Sequence, residues 1–118
     1  MLNFYQHKLC TTCRKGRKWL ENHSIEYQVI DLIAQPPSKE QLLAWMTASD
    51  LPISHFFNGK GNLYRKLNLK DTVSGMTVEE AAELLSTDGM LIKRPLVSDG
   101  QRITLGFKEE EFEKEWVK

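Results

Sequence analysis

Cys10 and Cys13 stand where a short apolar stretch gives way to a charged one with helical spacing, and this junction constrains the fold more than any other part of the chain. Leu2, Phe4 and, less cleanly, Tyr5 suit a first strand that stops at His7-Lys8. From Thr11 to His23 the spacing predicts a helix. Its outer face is basic (Arg14, Lys15, Arg17, Lys18), and Gly16, Trp19, Leu20 and His23 fall on its inner side. Ile25, Tyr27, Val29 and Ile30 nearly alternate and predict a second strand ending at Asp31. The first 31 residues therefore read as a β-α-β unit with both cysteines at its strand-to-helix turn.

Pro36-Pro37 breaks the chain, and Ser38-Lys39-Glu40-Gln41 offers a capping box ahead of Leu42, Leu43, Trp45 and Met46. Between Leu51 and Leu69 two short helices are expected: Pro52 opens one, Asn58-Gly59-Lys60-Gly61 turns, and Leu63, Tyr64 and Leu67 line the other. Thr77-Val78-Glu79-Glu80 is a second capping box, leading into Ala81, Ala82, Leu84 and Leu85 with Asp88-Gly89 as the stop. Leu96-Val97-Ser98 and Arg102 to Phe107 form a hairpin around Asp99-Gly100, a pair suited to positive φ. Glu109, Glu110 and Glu111 crowd the first turn of a last helix, with Phe112 and Trp116 on one face. The order β-α-β, helices, β-β-α predicts an α/β thioredoxin-like fold with a mixed sheet. It is read as one domain over residues 1–118 with a helical insertion at about 36–88.

Lysine plus arginine number 16 and aspartate plus glutamate 16, so no global positive excess exists to gather phosphate backbones, and direct nucleic-acid binding is not expected. The amino-terminal stretch lacks the basic start and apolar run of a signal peptide, and no segment approaches membrane-spanning length. A cytoplasmic monomer without membrane contact is the expectation. In a reducing compartment two cysteines do not form a permanent structural bridge, which leaves transient redox chemistry, metal binding or no role.

Thiol chemistry needs the thiolate, and a free cysteine with a pKa of about 8.5 is only slightly ionised near neutrality. Unpaired N–H groups and the positive dipole end of a helix stabilise the anion where Cys10 stands. Cys13, one helical turn on, is close enough to displace an adduct from Cys10 as an intramolecular disulfide forms. Zinc competes with this reading, but it needs two more ligands, and His7, His23 and His55 sit at none of the usual paired spacings. Arg94-Pro95, by itself, reads as no more than a proline ending a loop before a strand.

Five features extend the picture: Phe4-Tyr5 leading to Cys10-Thr11-Thr12-Cys13-Arg14-Lys15; Gln35-Pro36-Pro37-Ser38; Tyr64-Arg65-Lys66-Leu67-Asn68-Leu69; Lys93-Arg94-Pro95-Leu96-Val97; and Gly106-Phe107. With them the whole chain resembles the ArsC/Spx family, which holds glutaredoxin-linked arsenate reductases and the Spx redox-sensing regulators. The resemblance implies Cys10 as nucleophile, Cys13 as its partner, and Pro95 as a cis-proline facing them. Arg94 would hold an oxyanion or a thiolate through charge-assisted hydrogen bonds. Thr11 and Thr12, between the sulfurs, join Pro95 as expected substrate contacts.

The arsenate reductases surround their cysteine with three arginines and place a histidine shortly before it. The matching positions here are Asn58, Gly106 and Gln6, leaving Arg94 alone, so arsenate is expected to be a weak substrate. The Cys10/Cys13 pair is what the Spx branch carries, where oxidation alters binding to the RNA polymerase α subunit. The basic tail of a full Spx regulator does not follow Lys118, and Ser54 to Gly61 does not match the polymerase-contact region clearly. The expected function is thiol–disulfide oxidoreductase chemistry on a protein or small-molecule substrate, with Spx-like regulation as the alternative. No bound cofactor is expected, only an external thiol donor such as glutathione, thioredoxin, glutaredoxin or another low-molecular-weight thiol.

Overall fold

In the computed structural model, which describes residues 1–117, strand β1 (Leu2–Gln6) buries Leu2 and Phe4 and leaves Asn3 and Tyr5 half-buried, the period of two expected of a strand. Helix α1 (Thr11–Asn22) buries Cys13, Gly16, Trp19 and Leu20. His23, expected on that inner side, is instead exposed at the helix end, where its ring stacks 3.8 Å from Trp19 and its Nδ1 lies 2.8 Å from the Trp19 carbonyl oxygen. Ser24 adopts φ 56°; its N–H donates to Glu21 O and that of Ile25 to Leu20 O, the paired bonds of a Schellman ending. That ending occupies Ile25, so β2 (Tyr27–Asp31) begins two residues later than the alternation suggested.

β1 pairs in parallel with β2, Leu2 opposite Tyr27 and Gln6 opposite Asp31. It pairs antiparallel with β3 (Leu96–Ser98), which turns into β4 (Ile103–Leu105), giving the order β2-β1-β3-β4. Gly100 has φ 103° at the hairpin turn, and Asp99 Oδ1 accepts from the Gln101 and Arg102 N–H groups. β4 stops short of Phe107 because Gly106 turns to φ 81° and donates its N–H to Pro95 O.

The described residues fall into two compact units, one made of Met1–Asp31 with the chain from Arg94 onward, the other of Leu32–Lys93. In the first, α6 (Glu109–Trp116) packs Phe112 and Trp116 with Phe4, Trp19, Leu20 and Val97. Phe112 meets Trp19 and Phe107 edge to face, and its own full burial contributes roughly 1.5–3 kcal/mol.

In the second unit Ser38 Oγ caps α2 (Lys39–Ala48) by accepting from Gln41 N–H. A reciprocal capping box forms at Thr77 and Glu80 ahead of α5 (Val78–Thr87). α2 packs on α5, and Lys39 pairs with Glu79 and Glu83 across them. The two short helices expected between Leu51 and Leu69 are a 3-10 turn at Ile53–Phe56 and α3 (Asn62–Lys66); α4 (Leu69–Thr72) and a 3-10 turn at Val73–Gly75 follow them. Asn68, left-handed at φ 54°, separates α3 from α4. Leu67, past the end of α3, is 46% exposed. No helix among the described residues is long and apolar enough to cross a membrane.

Candidate functional site

β1 ends at Gln6, and Cys10 N–H donates back to His7 O, so a tight turn delivers Cys10 to the N-cap of α1 with φ −87° and ψ 113°. In that extended conformation a side-chain acceptor can reach the open N–H groups of the first turn. Here the acceptor is sulfur: Cys13 N–H donates to Cys10 Sγ at 3.2 Å. No disulfide joins the two cysteines in this structure.

The two thiols have different surroundings. Cys10 is half-buried, whereas Cys13 is 1% exposed and packed among Phe4, Leu20 and Val97. Burial pushes the Cys13 thiol up to about 12, helped by its hydrogen bond with the Cys10 side chain and by that group's charge. A backbone hydrogen bond at His7 and the positive charge of Arg94 pull the other way and are outweighed.

Arg94 is half-buried and near enough to Cys13 to act on it electrostatically. The Arg94-Pro95 peptide is cis, as the resemblance implied. Pro95 is buried, and its Cγ would lie 3.5 Å from a Cβ placed on Gly16, with the Phe4 ring at 3.3 Å. Gly16 thus lets α1 lie close to both β1 and the proline, one turn beyond Cys13. Cys10, Cys13, Arg94 and Pro95 are therefore gathered at one end of the sheet, with Thr11 and Thr12 exposed between the sulfurs. Among the described residues, no three His, Cys, Asp or Glu side chains group as metal ligands.

Two contributors were not singled out from sequence as part of this site. His7 acts through its backbone on both cysteines, and backbone roles leave no signature in residue type. Gly16 was placed on the inner face, but its closeness to Pro95 depends on a contact distant in sequence. A groove of about 750 Å³ lies at the other end of β1, lined by residues such as His23, Asp99, Arg102 and Trp116, away from the sulfurs.

Residues 5–115 match the model of the ArsC family. The chain belongs to the ArsC family. Among its relatives, YusI of Bacillus subtilis is 51% identical, with 98% of each chain covered. The global transcriptional regulator Spx of Streptococcus mutans is 28% identical over 94% of this chain and 80% of its own. An ArsC family related protein from Bacteroides fragilis superposes with a TM-score of 0.90 at 42% identity, covering 96% of this chain and 97% of that one. The α/β thioredoxin-like architecture read from the strand and helix pattern is thus that of the ArsC family.

Proposed function

We propose that this ArsC-family protein is a thiol–disulfide oxidoreductase in which Cys10 attacks and Cys13 resolves. The observation that carries the reading is the 3.2 Å hydrogen bond from Cys13 N–H to Cys10 Sγ at the helix N-cap, paired with a buried second thiol one turn on. Cys10 sulfur, as thiolate, attacks a substrate disulfide; one sulfur leaves as thiolate and the other stays bound to Cys10. Cys13 then gives up its proton to solvent and its sulfur attacks Cys10 Sγ. The second substrate sulfur departs and the Cys10–Cys13 disulfide forms, with two electrons passed to the substrate. An external thiol donor returns the pair to the dithiol.

Two of the three causes that raise Cys13 come from Cys10 itself. Both vanish once the Cys10 sulfur is tied up in an adduct, while Arg94 and the His7 backbone remain. Burial, the largest cause, persists, so the attack on Cys10 eases Cys13 toward ionisation only in part. Arsenate fits this site poorly: of the expected arginines only Arg94 is present, and Gly106, buried at φ 81°, is a strained place for any side chain.

Trapping tests the reading. A Cys13→Ser variant fed a disulfide substrate should accumulate a mixed disulfide through Cys10, seen by intact mass and reversed by reductant; absence of the adduct while the variant stays folded rejects it. A second reading, a redox switch on transcription, is favoured by the kinship with Spx. It requires binding to the carboxy-terminal domain of the RNA polymerase α subunit. Micromolar binding by one redox form and not the other is its expected result, and no binding by either removes it.

A further inference from the structure

The first twenty residues carry five cations and no anion: Lys8, Arg14, Lys15, Arg17 and Lys18 all precede Glu21, the first acidic residue. Because the whole chain is neutral, this is segregation of charge. It is mirrored on α6, where five glutamates, from Glu109 to Glu115, stand with Lys114. Lys8, Arg14, Lys15 and Lys18 are exposed and Arg17 is half-buried. At about 100° per residue, the four cations of α1 fan over the side facing away from Cys13, Gly16 and Leu20.

Helix electrostatics does not account for this placement. α5 and α6 open on glutamates, as the macrodipole favours, whereas α1 has no acid in its first turn and no base in its last. Its cations sit at the fourth to eighth helical positions, only Arg14 bordering the first turn, and they repel one another across i,i+3 and i,i+4 pairs such as Arg14/Lys18 and Lys15/Lys18. Among the described residues none of the five makes an ion pair. Local rules broken together beside a reactive group mark a surface shaped for something other than the fold. Leu9, directly before Cys10, adds an apolar side chain that is 76% exposed.

We propose that this face docks an acidic protein segment, so that the disulfide presented to Cys10 is flanked by Asp or Glu side chains, with an apolar residue covering Leu9. The proposal rests on the oxidoreductase reading and names the substrate class of that site. Charge complementarity fixes the sign of the partner, and length fixes its size. Lys18 lies eight residues past Cys10, about 12 Å along the helix axis. An extended tripeptide spans only about 10 Å end to end, so a small thiol such as glutathione, held by its central sulfur on Cys10, covers less of this face than a longer chain does. A longer acidic chain engages Cys10 and Lys18 together, and a face of one charge sign raises the encounter rate with it.

The test is single-turnover reduction by the dithiol protein of two synthetic 15-residue peptides with the same internal disulfide, flanked in one by Glu and in the other by Lys. Glutathione disulfide is the third substrate. Reduced wild type should favour the Glu peptide by about tenfold at low ionic strength, and the preference should collapse in 0.5 M salt, as expected of screened surface charge at roughly that concentration. In Lys15→Glu/Lys18→Glu the ratio of Glu-peptide to Lys-peptide rates should fall at least about tenfold, with a smaller change for glutathione disulfide. Equal wild-type rates on the two peptides, or a preference that survives the double substitution, overturns the proposal while leaving the chemistry standing. An equal loss on glutathione disulfide assigns the face to small anionic thiols and rejects the protein partner. If none of the three substrates reacts, the oxidoreductase reading itself fails, and the docking proposal with it.

Discussion

Replacing Cys10 with serine should lower the second-order rate of disulfide reduction by at least about a thousandfold, because a hydroxyl is hardly ionised in water and forms no disulfide. The substitution is informative because the fold should survive it. Cys10 is the N-cap of α1, its sulfur accepting the Cys13 N–H, and serine is among the best residues for that position. Thermal stability should therefore be unchanged or slightly higher, separating loss of the nucleophile from loss of structure. Labelling gives a second view of the same asymmetry. At pH 8, iodoacetamide should modify native wild type once, at Cys10. Cys13, 1% exposed and with its thiol pushed up to about 12, should react only after unfolding. Native Cys10→Ser should then take up almost no label. Rapid labelling of Cys13 in the folded variant, or retained disulfide reduction, would show that the wrong sulfur has been assigned the attack.

The parts of this site that sequence revealed are those with local causes. The strand-to-helix junction, the N-cap position of Cys10 and the Asp99-Gly100 turn each follow from residue types within a few positions of one another. The burial of Cys13 was equally within reach: positions 13, 16 and 20 share one helix face, so a cysteine in phase with Gly16 and Leu20 points inward. What sequence hid depends on contacts or on helix ends. His23 has the spacing of a core residue, yet it caps α1 and stacks on Trp19, because the helix closes at Ser24 rather than running on. Leu67 stands at helical spacing from Leu63 and Tyr64, whereas α3 and α4, five and four residues long, each make too few turns for a period to fix their faces. Arg94 and Pro95 were ordinary loop residues until family resemblance gave them roles, and only the fold brings their loop, some eighty residues away in sequence, to the start of α1.

In the unit built from Leu32–Lys93, Gly89→Ala should be the most damaging single methyl. The sequence marks Asp88-Gly89 as a helix stop, which explains a break but not why glycine is needed. α5 ends on Asp88 with φ −157°, whose Oδ1 accepts from Met90 N–H, and Gly89–Leu91 then makes a 3-10 turn. The turn is held from outside as well as within: Asn58 N–H donates to Leu91 O and Lys93 N–H to Phe56 O. A Cβ on Gly89 would collide with the carbonyl oxygen of Leu32, with the carbonyl carbon only 2.8 Å away. Because the obstacle is backbone and the Leu32 side chain is fully buried, neither can swing aside as an exposed side chain would. Overpacking of this kind costs about 1–3 kcal/mol where side chains adjust and more where backbone must move, against a total stability of roughly 5–15 kcal/mol for a domain. Urea unfolding of Gly89→Ala should therefore show at least about 3 kcal/mol of destabilisation. Gly59→Ala and Gly75→Ala, whose added methyls meet nothing within 4 Å, should stay within about 1 kcal/mol of wild type. If Gly89→Ala yields no soluble protein while those two express normally, the ordering still holds. Should all three unfold at the same urea concentration as wild type, the Leu32 backbone is free to retreat, and close approach is not what glycine provides at that turn.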